Sequence, residues 1–433
     1  MRRITIVGCA PLPARITAPS SAAGQRAWQF ARALAEDGHH VTLLLAGGGA
    51  LASASLLTPA GAAFEVAGLE PQEVEDPRAL RGRLDRLGGE ALVGASTYPS
   101  FLLARSDHPA PLWIDLHGDP MSEGQALARA TDDAAVERYW WMLAWSLRRG
   151  DCFSAVSEAQ RLAVLGQLGA SGRLNRATAG LELVHRVPDA CDVPVDVPPP
   201  AASGDFEVIF TGSFNSWIDG GTFATAIELV LPVEPRIRFR ICGGEVAGLA
   251  TESWREFRSR LGLLPAELAS RVAVAGWVAD GELERLERAA GCGVVPELRL
   301  AERELGSQNR SLRWMARARP VVTTEQSELG RAIEQRRLGL TYRTGDARSL
   351  ADALLRLARD PELAEQLGDN ARRWVAEERS AATASVALRR WAADPRPSPD
   401  REDGSALRLA RRHPEMLRDQ LHLLERDAGE AGR

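Results

Sequence analysis

Lysine does not occur in this sequence, so its 53 basic side chains other than histidine are all arginines. Cationic tasks therefore fall to permanently charged, planar guanidinium groups or to one of seven histidines. Cysteine is scarce too. Cys9, Cys152, Cys191, Cys242 and Cys292 stand singly, odd in number and without CxxC spacing, which argues against both a disulfide framework and a zinc site. Scattered thiols of this kind fit a reducing cytoplasm, and no metal ligand set is read from the chain. No apolar run reaches the roughly 20 residues that a membrane helix needs, so no integral membrane segment is expected. A net charge of -5 offers no basic footprint for nucleic acid. The missing lysine itself fits codon bias in a GC-rich bacterial genome.

What is present is an alternation of short apolar runs and helical patterns. "RITIVG" (3–8), a helix from about Gly24 to Asp37 and "HVTLLLAG" (40–47) form a βαβ unit, with Ala27, Phe30, Ala31 and Leu34 on one helix face. The arginines in "MRRITIVGCAPLP" mimic a signal peptide, but the apolar stretch is too short and reads as a buried strand. Strands are also predicted within 91–96, 111–118 and 151–157. The Pro-rich stretch "VPDACDVPVDVPPPAAS" then supports neither a helix nor a central strand and predicts a linker over 187–204 between domains 1–186 and 205–375. The second domain repeats the alternation, with strands predicted within 206–214, 236–244, 271–278, 292–297 and 320–324. Two further helices are expected over 346–378, capped by Asp346 and Asp360. A helical stretch at 376–393 is expected to cross back to the first domain. Residues 394–433 read as a flexible joint followed by an amphipathic helix, a docking element that leaves a homodimer open.

In open parallel sheets, ligands bind beyond the carboxyl ends of the strands, so chemistry is sought in the loops there. The loop after the first strand offers Ser20, Ser21 and Gly24, the loop at 211–219 offers Gly212, Ser213, Asn215 and Asp219, and "IDLHGDP" offers Asp115, His117 and Asp119. None of these spells G-x-G-x-x-G, which disfavours simple NAD chemistry. Asp219 suits a helix cap better than a base. Trp140, Trp141 and Trp145 have helical spacing and are expected to pack in the core.

The run "SQNRSLRWMARARPVV" (307–322), with the helices that follow it, resembles the GT-B fold glycosyltransferases, in particular the retaining nucleotide-sugar enzymes often called family 4. The resemblance covers residues 1–390 approximately. Asn309 and Arg310 stand where the family has Asn-Lys, and 315–322 matches the "M-A-x-G-x-P-V-V" tail. It implies an α/β fold of two Rossmann-like domains facing a central cleft. It also implies transfer of a sugar, with retention and without metal, from a nucleotide-sugar co-substrate to a small-molecule or glycan acceptor, in natural-product or envelope-glycan synthesis. The glutamate that binds the donor ribose in the family is replaced by Arg313, and the family's other glutamate by Leu305, with Glu304 beside it.

The resulting expectations assign Arg310 to the leaving diphosphate, since a guanidinium gives bidentate contacts to phosphate oxygens. His117 is expected at the transferred sugar and Glu297 near its hydroxyls or anomeric carbon. Gly212, Ser213, Asn215, Trp277, Glu304, Asn309 and Arg313 complete the expected donor site, and Ser21, Gly24, Asp115 and Asp119 the expected substrate contacts. Arg313 otherwise pairs with Glu297, Glu302 or Glu304. The same fold also admits a pseudo-glycosyltransferase or a sugar-nucleotide epimerase, and the lost glutamates point to a further reading, a non-catalytic partner of another transferase.

Overall fold

The computed structural model describes residues 1–13, 21–48, 53–196, 204–245 and 252–402. The first domain is built on β1 (Arg3–Cys9), β2 (His40–Ala46), β3 (Ala54–Leu57), β4 (Ala63–Gly68), β5 (Ala91–Gly94), β6 (Leu112–Leu116), β7 (Cys152–Ala155) and β8 (Val184–Arg186). They lie in the order β3-β4-β2-β1-β5-β6-β7-β8. All neighbours are parallel except the β3–β4 edge pair. Helices cover both faces, so the central strands β5 and β6 are buried at every residue, as continuous apolar runs require. The helix Ala22–Glu36 buries Ala27, Phe30, Ala31 and Leu34. It lies directly on β1, because a Cβ on Gly8 would stand 2.4 Å from that of Ala27.

The second domain carries β9 (Phe206–Ser213), β10 (Ile237–Gly244), β11 (Val272–Gly276), β12 (Cys292–Val294), β13 (Val321–Thr323) and β14 (Gly339–Thr341). Their order is β11-β10-β9-β12-β13-β14, and every pair is parallel. Strand order reverses at β1 in one sheet and at β9 in the other, and the crevices at such reversals are where ligands of this architecture bind.

Asp346 and Asp360 cap the helices Ala347–Arg359 and Pro361–Glu378. The chain then returns: the helix Val386–Ala393 places Leu388 and Ala392 in the core of the first domain. Residues 394–402, expected as a flexible joint, are packed instead. Asp400 is fully buried in an ion pair of 2.5 Å with Arg173, and the Ser398 amide donates to Asp151 at 2.8 Å. The expected linker likewise begins as packed chain, since the Val187 amide donates to Ala155 at 2.8 Å and Asp189 is buried. Ser20, the linker residues 197–203 and the terminal amphipathic stripe from Leu407 lie outside the described residues. Among the described residues no helix is long and apolar enough to cross a membrane. Trp140 and Trp141, expected in the core, are each 53% exposed, because the helix Ala134–Arg149 buries Met142, Leu143, Ser146 and Leu147 instead.

Candidate active site

A cavity of about 330 Å³ lies between the domains at the carboxyl ends of β1 and β9. Ser21 and Gln25 line it from the first domain, facing Gly212, Ser213, Trp277, Asp280, Asn309, Arg310 and Arg313 of the second. Ser21 caps its helix by accepting from the Gly24 amide, and Gly24 is a close-approach residue whose added Cβ would lie 1.9 Å from the Pro11 carbonyl oxygen. Gly212 has φ +93, a left-handed conformation that glycine adopts without steric cost, and this turn keeps the backbone beside the guanidinium of Arg310 free of a side chain.

Arg310 is the unusual group here. It stands in the first turn of the helix Asn309–Ala316, over the Phe210 ring at 5.0 Å, and Nη2 reaches the Ser213 carbonyl at 3.4 Å. It forms no ion pair among the described residues, and its Nη1 is buried without a hydrogen-bond partner. Burial, with Arg303 nearby, draws its pKa down to about 10 against the opposing pull of Glu297. A buried cation lacking a counter-charge is costly, which marks the place where an anion belongs.

Arg303, by contrast, is neutralised: it bonds Glu302 closely and Glu297 at 3.0 Å, and lies 5.0 Å over the Trp217 ring. Glu297 is fully buried, where it also accepts from Thr324 at 2.8 Å and from Gln308 at 2.9 Å. Burial raises its pKa, partly offset by Arg303 and Thr324. Its carboxylate is thus engaged inside the second domain.

Arg313 pairs with neither Glu297, Glu302 nor Glu304. Its Nε donates to Glu287 at 3.0 Å and Nη2 donates at 3.1 Å, to a carboxylate that is wholly buried and also faces Arg317. Burial would lower the pKa of Arg313, but Glu287 outweighs it and the net shift is upward. Glu304 is exposed on the helix Ala301–Leu305 and does not line the cavity. The one carboxylate among the described lining residues is Asp280, first residue of the helix Asp280–Ala289, with no hydrogen bond or ion pair to the described residues. Trp277 is half-exposed, its Nε1 donating to Glu245, and Asn215 holds a buried Oδ1 with no partner.

His117 follows β6, and its Nε2 lies 2.7 Å from Asp189, a residue of the stretch expected as a linker. Ser307 also donates to that carboxylate, and the Asn309 amide does so when turned to face it with its nitrogen. Burial works to raise the Asp189 pKa, but His117, Arg26 and the Ser307 hydroxyl prevail and hold it well below the ordinary carboxylate range. Asp115 and Asp119, expected at the substrate, are committed to the scaffold. Asp115 is fully buried against Arg26 at 2.7 Å, and Asp119 caps the helix Pro120–Ala128 while accepting from Gln167 at 2.8 Å. Asp219 caps the helix Gly220–Val230, as its position predicted.

Glu123, in a helix with no motif around it, carries no sequence signal of function. It accepts from Tyr139 at 2.9 Å, and burial, then the neighbouring carboxylate of Glu302 on the other domain, raises its pKa from 4.5 to about 7. Between those values the folded chain holds a proton that the unfolded chain releases, so this group stabilises below about pH 4.5 and its contribution is lost as pH rises through about 7. Glu123→Gln, which cannot ionise, is therefore expected to melt above the wild type at about pH 8, with the gap closing towards about pH 5. Thermal denaturation at the two pH values checks this; a gap independent of pH would count against it.

Two Rossmann-like α/β domains facing a cleft are the architecture of a GT-B protein. Residues 21–179 match the family described as "Glycosyl transferase 4-like domain" and residues 205–360 the one described as "Glycosyl transferases group 1". Together the two matches take in most of the chain, which is a GT-B glycosyltransferase in fold and domain make-up. Sucrose-phosphate synthase from Thermosynechococcus elongatus superposes with a TM-score of 0.64 at 16% identity, over 97% of this chain and 100% of that one. HepE of Anabaena in complex with UDP and glucose gives 0.64 at 14% identity, over 91% and 100%. The E. coli trehalose-6-phosphate protein bound with UDP-2-fluoro glucose gives 0.67 at 12% identity, over 91% and 100%. At these identities the likeness is one of fold. No curated protein matches the chain by sequence.

Proposed function

We propose that this chain transfers a sugar, with retention of anomeric configuration, from a nucleotide-sugar donor in the interdomain cavity to a small-molecule or glycan acceptor. The observation that carries the reading is Arg310, a half-buried guanidinium whose Nη1 is buried and unpartnered, beside the Gly212–Ser213 turn and at a helix entrance. A diphosphate supplies the missing counter-charge, and guanidinium and backbone donors stabilise it most as charge develops on leaving. In this reading the C1–O bond to the phosphate breaks, the acceptor oxygen bonds to C1 on the same face, and the acceptor's proton passes to the departing phosphate oxygen. No carboxylate is required as nucleophile, in keeping with Glu297 being held in the interior. Solved structures of similar fold carry UDP with glucose or a UDP-sugar analogue, which supports a donor of that class.

Trp277 flanks the base end of this cavity, and Asp280 is the carboxylate left to accept from the ribose hydroxyls, the task that Glu304 was expected to take over. Calorimetry with UDP, GDP, ADP and dTDP tests the reading. At least one is expected to bind, and where it is UDP, GDP or ADP, Asp280→Asn is expected to erase roughly a tenfold preference over its 2′-deoxy counterpart, the worth of one hydrogen bond to a charged group. Failure of all four to bind would remove the donor reading altogether.

A further inference from the structure

His117, Ser307 and Asn309 come from different domains, yet all three meet on one carboxylate. That carboxylate belongs to Asp189, on the segment that leaves the first domain, and it is 5% exposed. Its backbone is pinned on both sides. Pro188 accepts from Arg26 at 3.1 Å and from Gln29 at 3.0 Å, while the Cys191 amide donates to Arg379 at 2.9 Å. The carboxylate is therefore a fixed point to which movable groups come. Ser307 and Asn309 form the entrance of the Asn309–Ala316 helix, whose next residue is Arg310. His117 of the first domain and the helix entrance that carries Arg310 are thus joined through one acidic side chain.

We propose that Asp189 is a positioning residue that makes the orientation of His117 depend on the seating of the donor domain. This rests on the donor reading above only for the purpose it gives His117. A carboxylate can only accept, so Nε2 of His117 must carry the proton facing Asp189. Nδ1 has no hydrogen bond to the described residues, and with one proton on the ring it is then the lone-pair nitrogen. His117 presents an acceptor for a substrate hydroxyl, not a donor. When the donor domain is displaced, Ser307 and Asn309 leave Asp189, the carboxylate gains freedom to turn, and the histidine loses its fixed orientation. A seated donor domain and a correctly turned histidine become one event.

The test is nitrogen-15 NMR of the histidines in the full chain at about pH 8, where an ordinary imidazole is neutral. The His117 signals are assigned by their loss in His117→Gln. In the wild type, His117 is expected as the Nε2–H tautomer with a pyridine-type Nδ1. Asp189→Ala is expected to collapse these into tautomer-averaged signals. Ser307→Ala, which does not touch the histidine, is expected to shift the same signals part of the way. A doubly protonated ring or an Nδ1–H tautomer in the wild type overturns the acceptor role, and spectra unmoved by Ser307→Ala overturn the coupling between domains. The spectra are read without nucleotide. Loss of the donor reading would show in calorimetry alone, so the two failures are separable.

Discussion

Replacing Arg310 by Met is expected to abolish measurable nucleoside diphosphate binding and to lower donor turnover by about 10²–10³-fold, the usual cost of deleting one donor aimed at developing negative charge. The same variant is expected to melt no lower than the wild type. These two outcomes belong together because of where the charge sits. Arg310 carries no ion pair among the described residues, Nη1 is buried and unpartnered, and the surroundings already pull its pKa down to about 10. Without an anion the fold bears the cost of desolvating that cation, and methionine removes it while keeping an apolar stem over the Phe210 ring at a similar volume. Arg310→Lys should recover part of the binding, since it restores the charge but not the two-pronged geometry. Calorimetry with and without nucleotide reads both quantities. A Met variant that melts several degrees lower and still binds would make Arg310 a packing residue.

Arg310 could be found in the sequence because it sits inside a contiguous motif, and the strands of both sheets were legible because parallel strands buried on both faces read as unbroken apolar runs. Where burial is one-sided the signal fades. β3 and β4, neither of them predicted, carry exposed residues along their length, and β8 and β14 are only partly buried, whereas β12 and β13, equally short at three residues, are buried throughout and stood out. The site's other members were hidden for a different reason. Asp189 sits in a Pro-rich stretch that resembles a linker, and its partners are 72 and 118 residues away. Glu287 stands in "GELERLERAAG", which reads as an ordinary charged helix surface; it is buried because the helix Asp280–Ala289 packs on Asn309–Ala316 and Arg313 comes to meet it. Charge complementarity of this kind exists only in three dimensions. The same holds for Asp115 and Asp119, whose loop position suggested substrate but whose oxygens are taken up by partners that chain order does not reveal.

Asp115 carries the second large effect, on stability. Its carboxylate receives Arg26 through two bonds, Nη2 at 2.7 Å and Nε at 2.9 Å, and both side chains are wholly excluded from solvent. Asp115 also accepts from the Ser96 amide at 3.0 Å and the Ser154 hydroxyl at 2.6 Å, while Arg26 donates to Val187 at 2.7 Å and lies 4.5 Å over the Phe30 ring. One ion pair thus joins the first helix, β6, β7 and the start of the crossing segment. Removing one partner strands the other charge in the interior, a loss of about 3–5 kcal/mol, whereas removing both replaces a costly pair by apolar packing. Asp115→Ala should therefore lower the melting temperature by on the order of 10 °C, taking about 2–4 °C per kcal/mol for a domain of this size. Arg26→Met with Asp115→Leu should be less damaging than Asp115→Ala alone, giving a strongly non-additive cycle. Because Val187 and Pro188 hang on the same arginine, the single variant should also loosen the segment that holds Asp189, and proteolysis near residue 190 should rise along with the fall in stability. If Asp115→Ala costs less than about 1 kcal/mol, the network does not hold this domain together.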